Sequence, residues 1–232
     1  VNFSLLRLVI GVFWLLAWAL GFWAPPILGA LERWEAAMGA SPVVAVLEGL
    51  EPAQALPVAE ALVAAGVRAL AVPWREGEAA RILQLLGAGG LPSNVALGAS
   101  DVVEPGDVRE VYAAGGCFVL SLHNGRPLIW KARALGLVAL AGVWTPTEAY
   151  TAIRRGANGL SVCPSERLPL ARVRACLQFA PVRWLGLEAE ESTPTAVVKG
   201  GGFVVLRGLL EGRATPDVVE ERARTMVAAC KG

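Results

Sequence analysis

The sequence predicts an α/β protein, a (β/α)8 barrel of the TIM type preceded by an N-terminal transmembrane helix. Three observations carry this. From Ser41 onward, short apolar runs alternate eight times with Ala/Leu/Glu/Arg-rich stretches of helical spacing. The apolar runs are nearly continuous, as parallel strands buried on both faces require. Ahead of them, Leu8 to Leu31 carries no charge. Eight βα units close most simply into a barrel. An open doubly wound sheet would also alternate, but its GxGxxG fingerprint is absent. The expected divisions are a transmembrane helix over 1–28, a linker helix over 29–40 and the barrel over 41–232.

A bilayer span needs about 20 apolar residues. Pro25-Pro26 would end or kink the helix near Ala24, which makes Leu8 to Ala24 the spanning candidate. Trp14, Trp18 and Trp23 fit the aromatic enrichment of membrane interfaces. A signal peptide, with Arg7 as its charged region and Ala17-Trp18-Ala19 as a poor cleavage site, and a hydrophobic docking helix are the competing readings. Arg7 and Arg33 flank the segment on opposite sides, so charge sets no orientation. Leu31 to Met38, with Trp34, is expected to cover the barrel bottom.

The barrel units follow in order. Pro42–Leu47 reads as a buried strand and Glu51–Ala65 as its helix, with Gly66 where a C-cap glycine belongs. The next pairs are strand Arg68–Val72 with helix Glu76–Leu86, strand Val95–Gly98 with helix Pro105–Ala114, and strand Cys117–Ser121 with helix Arg126–Leu135. Strand Val138–Ala141 precedes helix Thr145–Arg155, opened by Thr-Pro-Thr-Glu capping chemistry. Strand Gly159–Val162 precedes helix Leu168–Leu177, and strand Val182–Gly186 precedes the short helix Thr193–Val198. Strand Gly202–Leu206 and helix Thr215–Ala229 close the series.

Composition narrows the function classes. The chain is 55% hydrophobic and 18% charged, so disorder is excluded. A net charge of +1 without a basic stripe argues against nucleic acid as a partner. One His excludes a His-rich metal site, and no metal or cofactor is expected. The four Cys include no CxxC pair, which fits reduced, buried thiols rather than zinc or disulfides.

Function in such a barrel sits at the C-terminal strand ends. In order these carry Glu48 and Gly49; Pro73, Trp74 and Arg75; Ser100 and Asp101; Ser121, Leu122 and His123; Trp144 and Thr145; Ser161, Cys163 and Pro164; Leu187, Glu188 and Ala189; Arg207 and Gly208.

The segment ALPVAEALVAAGVRALAVPWR (Ala55 to Arg75) resembles the start of the 2-keto-3-deoxy-6-phosphogluconate / 4-hydroxy-2-oxoglutarate aldolases. The preceding PVVAV, then LGASDV, GVWTPTEA and GLSVCPSE, keep that family's order and spacing. The resemblance implies a small class I aldolase barrel, commonly a homotrimer, that cleaves its keto acid through a Schiff base on a strand-6 lysine. Here that lysine slot holds Ser161, and the acid/base glutamate of strand 2 falls on Ala71. The carboxylate-binding arginine is kept as Arg75. The strand-3 threonine is replaced by Asp101. The phosphate cradles read Leu187-Glu188-Ala189 and Arg207-Gly208-Leu209, and Glu188 would repel a phosphate that bare backbone N–H groups attract. Lys131, Lys199 and Lys231 all fall away from the mouth, whereas an imine needs a desolvated amine there.

Cys163 and His123 form a conceivable nucleophile pair, weighed against a packed thiol and an ordinary loop histidine. Arg75, Asp101 and Arg207 are the candidate substrate-binding residues; with Glu188 they place four charges around one rim, which either bind an anion or pair with one another. Trp74 and Trp144 either fill the former pocket or pack on helices. Joint loss of lysine, glutamate and cradle, with an apolar N-terminal segment, leads to the expectation of a membrane-anchored pseudoenzyme. It would be a structural or binding subunit of a larger membrane protein complex, in contact with membrane lipid, its barrel on the cytoplasmic side. The alternatives are a keto-acid aldolase with relocated catalytic groups and a carboxylate-binding sensor that keeps Arg75.

Overall fold

The computed structural model describes residues 26–75, 77–162, 184–189, 202–210 and 215–231. Within them lie eight strands: β1 (Val43–Val46), β2 (Ala69–Pro73), β3 (Ala96–Val102), β4 (Phe118–Ser121), β5 (Val138–Val143), β6 (Gly159–Val162), β7 (Trp184–Ala189) and β8 (Gly202–Leu206). They pair in parallel, each with its sequence neighbour, and β8 returns to β1 to close the barrel. The described helices are α1 (Pro26–Ala40), α2 (Ala55–Ala64, entered through a 3₁₀ turn at Pro52–Gln54), α3 (Ala79–Ala88), α4 (Pro105–Ala113), α5 (Arg126–Ala134), α6 (Pro146–Arg154) and α7 (Pro216–Lys231). The helices expected at 168–177 and 193–198 lie outside the described residues.

Local chemistry accounts for the helix starts. Pro occupies the first turn of α4, α5 and α6, where its missing N–H is no loss. In α6, Thr145 accepts from the Glu148 amide at 3.2 Å while Glu148 accepts from Thr145 N–H at 2.9 Å and Trp144 N–H at 2.7 Å. This reciprocal box satisfies donors that a helix start would otherwise leave unpaired.

Two apolar layers follow from strand alternation. Outward-facing side chains such as Val43, Leu70, Val119 and Leu160 pack with the helices. Inward-facing Val44, Val46, Ala71, Leu120, Leu140 and Val205 fill the barrel with Phe118 and Phe203. Two glycines make room for the phenylalanines. A Cβ at Gly98 would sit 2.6 Å from Phe118 Cγ, and one at Gly186 would strike the Phe203 ring. The bottom is closed by α1. Its Trp34 is fully buried, 5.0 Å from the Phe118 ring and edge-on to Phe203 at 5.5 Å. Aromatic pairs in this range add to the stabilisation from burial alone.

The spanning candidate Leu8 to Ala24, with Trp14, Trp18 and Trp23, lies outside the described residues. Helix α1 runs across the expected boundary at 28 and 29, carries Glu32, Arg33 and Glu35, and packs under the barrel. Among the described residues no helix is long and apolar enough to cross a membrane.

Candidate active site

The C-terminal mouth is organised around an irregularity in β3. The pairing of β3 with β4 shifts register between Ala99 and Val102. Asp101 sits in this bulge with φ +57°, the left-handed region that non-glycine residues enter at a cost. Such outliers concentrate where a side chain must be aimed for function. The aim here is Arg207. Its Nη2 donates to Asp101 Oδ1 at 2.7 Å and its Nη1 to Oδ2 at 3.2 Å. Ser100 Oγ donates to Asp101 Oδ2 at 3.3 Å.

Arg207 follows β8 and serves a second carboxylate. Its Nη1 donates to Glu48 Oε1 at 2.6 Å, while Glu48 Oε2 accepts from Gly208 N–H at 3.3 Å. The ends of β1, β3 and β8 are thereby tied together over the end of β2. The three side chains are 25%, 37% and 16% exposed for Arg207, Glu48 and Asp101, so solvent still reaches the cluster. The Glu48–Arg207 pair was not anticipated from sequence. Its signal was there, since Glu48 is the first charge after a buried run. Beside Glu48 opens a cavity of about 880 Å³, lined also by Glu51, Gln54, Gly208, Leu210 and Thr215.

Arg75, just beyond β2, is exposed and forms no ion pair or hydrogen bond among the described residues. The residue before it is tied to the residue before Asp101, since Trp74 N–H donates to Ser100 O at 2.9 Å. Trp74 packs against the helix-facing core, and Trp144 is 59% exposed, so neither fills the barrel.

Ser161 lies inside the barrel, 1% exposed, at a position flanked in register by Gly142 and Gly186. Among the described residues its Oγ has no hydrogen-bond partner. Ala71 is buried among apolar side chains and offers no acid or base.

His123 is committed at both ring nitrogens. Gly125 N–H donates to Nδ1 at 2.8 Å, so Nε2 carries the proton and donates to Val103 O at 2.8 Å. Gly125 is needed there, because a Cβ would lie 2.6 Å from the imidazole Cε1. His123 therefore fastens the β4 end to the β3 end. Cys163 and the β6–β7 segment around it lie outside the described residues. Of the lysines, Lys131 lies on α5, outside the barrel, and Lys199 is not among the described residues.

A family profile described as "Aldolase: KDPG and KHG aldolase" matches residues 34–185. The chain is 30% identical over 130 residues to a probable 2-dehydro-3-deoxy-6-phosphogalactonate aldolase of Rhizobium meliloti (strain 1021), covering 56% of this chain and 61% of that protein. It is 32% identical over 112 residues to a 2-dehydro-3-deoxy-phosphogluconate aldolase of Dickeya dadantii (strain 3937), covering 48% and 52%. The chain thus spans about half to six-tenths of the length of these curated relatives. A solved structure of the 2-keto-3-deoxy-6-phosphogluconate aldolase of Zymomonas mobilis ZM4 with 3-phosphoglycerate superposes with a TM-score of 0.70 at 25% identity, covering 84% of this chain and 94% of that one.

These matches overturn the expectation of a non-catalytic, membrane-anchored subunit. Each of these relatives is named as an aldolase or probable aldolase, and the family match runs from Trp34 through β1 to β6 and ends at Leu185, before β8 and Arg207. The expected membrane location falls with it, since no described helix can span a bilayer and the relatives are aldolases. Membrane lipid and a larger membrane complex gain no support as partners.

Proposed function

Because the chain belongs to the KDPG and KHG aldolase family, we propose that it is a carbon–carbon lyase that cleaves a 4-hydroxy-2-oxo acid to pyruvate and an aldehyde. The match of residues 34–185 to that family carries the reading. The carboxylate-binding arginine stays where the resemblance implies, at Arg75, and the acid/base group is relocated from position 71 to Asp101.

In this reading the exposed guanidinium of Arg75 takes the substrate carboxylate. Asp101 accepts the proton of the C4 hydroxyl, the C3–C4 bond breaks, and the electron pair passes to the C2 oxygen as an enolate. The same proton returns to C3 and gives pyruvate, so atoms and charge balance without an oxidant or reductant. Arg207 and Ser100 hold Asp101 in place, and Glu48 holds Arg207. Positioned carboxylates are ordinary general acid/base groups. An imine has no amine at position 161, so the route runs through the enolate.

The far end of the substrate would lie towards the cavity beside Glu48. That cavity has two carboxylates in its lining, Glu48 and Glu51, which favours a hydroxylated, unphosphorylated chain over the phosphorylated acids in the relatives' names. The homotrimer implied by the resemblance is part of this proposal, and light scattering during size-exclusion chromatography tests it.

The deciding experiment feeds the protein 4-hydroxy-2-oxo acids with and without a terminal phosphate and follows pyruvate with a coupled dehydrogenase. Release of pyruvate, faster from the unphosphorylated acids, is expected. No release from any of them overturns the reading. Borohydride added with pyruvate should leave no covalent adduct; an adduct would show an imine and overturn the enolate route.

A further inference from the structure

The described residues hold three fully buried hydroxyls towards the mouth end of the barrel strands, and two are accounted for. Ser100 donates to Asp101. Ser121 donates to His123 O at 2.8 Å and accepts from His123 N–H at 3.2 Å. Ser161 has no partner. Ser41 also lacks one, but it follows α1 at the closed bottom.

The setting of Ser161 is specific. Its register neighbours are Gly142 on β5 and Gly186 on β7, so no side chain at this level flanks it from either strand. Beyond Gly142 comes the backbone of Ser121 and Leu122, and beyond Gly186 the Phe203 ring. Among the described residues the buried hydroxyl thus has no hydrogen-bond partner, and it lies near the end of β6 where barrel chemistry takes place. A buried O–H without a partner is destabilising and calls for an explanation. A ligand oxygen is one such partner.

We propose that Ser161 is a catalytic residue whose hydroxyl donates a hydrogen bond to the C2 oxygen of the keto acid; this rests on the lyase reading. The donor serves the oxygen that gains charge as C3–C4 breaks. No covalent bond to Ser161 forms, and its proton stays on Oγ. Held in a dry interior, such a donor stabilises the enolate more than the ground-state ketone, which is the condition for raising kcat.

The test compares wild type with Ser161→Ala and Ser161→Cys. Ser161→Ala should lower kcat for pyruvate release by about 100-fold or more with a small change in KM. Ser161→Cys, a weaker donor, should fall between. A second readout separates catalysis from architecture. Without ligand, Ser161→Ala should melt at or above the wild-type temperature, because no protein hydrogen bond is lost. Pyruvate should raise the wild-type Tm and leave that of Ser161→Ala unmoved.

Unchanged kcat in Ser161→Ala, or a lower Tm of its free form, overturns the proposal. If wild type binds pyruvate but cleaves nothing, the lyase reading fails alone, and the loss or retention of the pyruvate shift in Ser161→Ala decides Ser161. If pyruvate neither shifts wild type nor is released by it, both readings fall.

Discussion

Arg207, beyond the end of β8, holds Asp101 on β3 at two points, Nη2 to Oδ1 at 2.7 Å and Nη1 to Oδ2 at 3.2 Å, across the positions of β1 and β2. The contact joins strands that are not neighbours in the barrel, and Asp101 makes it from a backbone with positive φ.

That geometry separates two variants of Asp101. Asp101→Asn keeps a side chain that tolerates the left-handed region but loses the charge. It should lower kcat for pyruvate release by roughly 100-fold or more, the ordinary contribution of a positioned general base. Its fold should survive. Asp101→Gly relieves backbone strain of about 1 kcal/mol and loses the ion pair, so its stability should stay within about 1 kcal/mol of wild type while activity is lost. Thermal unfolding beside steady-state kinetics checks both. A fully active Asp101→Asn would remove Asp101 from the mechanism.

His123 should behave as a fastener. His123→Gln should leave the shape of the pH–rate profile between pH 5 and 8 unchanged. It should also weaken the fold by about 1–3 kcal/mol, because Val103 O and Gly125 N–H lose well-placed partners. Disappearance of a limb of the profile in the variant would mean that the imidazole titrates in the reaction.

Trp34 is the largest side chain buried at the closed end, wedged against Phe118 and Phe203. Trp34→Ala should cost about 3–5 kcal/mol, in the range for truncating a large aromatic core residue. At temperatures where the variant remains folded, kcat should be near wild type, since α1 lies at the end opposite the mouth. Denaturant melts and kinetics at low temperature test the two halves. Equal loss of activity and stability is the expected pattern only if bottom and mouth are coupled.

Much of the barrel was legible because inside and outside are written in alternation. Val43 to Val46 is apolar at every position, and only a strand covered on both faces tolerates that. The bulge at Ser100–Asp101 was not legible. The strand was expected to end at Gly98, yet pairing continues to Val102, because a left-handed Asp101 absorbs the irregularity. No local residue pattern announces a positive φ at an aspartate. The ion cluster was half legible. Asp101 and Arg207 stand out at strand ends, but Glu48 meets Arg207 only through closure of β8 on β1. The expectation of a non-catalytic subunit rested on the changes at Ser161 and Ala71, and it is the family match over residues 34–185 that overturns it.

Cys117 gives the fold an alkaline limit. Burial pushes its thiol from the usual 9.0 up to about 11, with nearby Arg33 opposing the shift. The native state therefore holds this proton after the unfolded chain has released it. The stabilisation is fully present below pH 9, declines as pH rises from about 9 to about 11, and levels off beyond. Across the whole transition the loss is roughly 3 kcal/mol. Burial also raises the Cys230 thiol, so it acts in the same direction and must stay constant in the comparison. Urea melts of wild type and Cys117→Ala at intervals between pH 8 and 11 isolate the Cys117 contribution. Cys117→Ala starts less stable below pH 9, because a buried side chain is trimmed. The gap between the two proteins should then narrow as pH rises. A gap that stays constant to pH 11 would mean that Cys117 ionises in the folded protein as readily as in the unfolded chain.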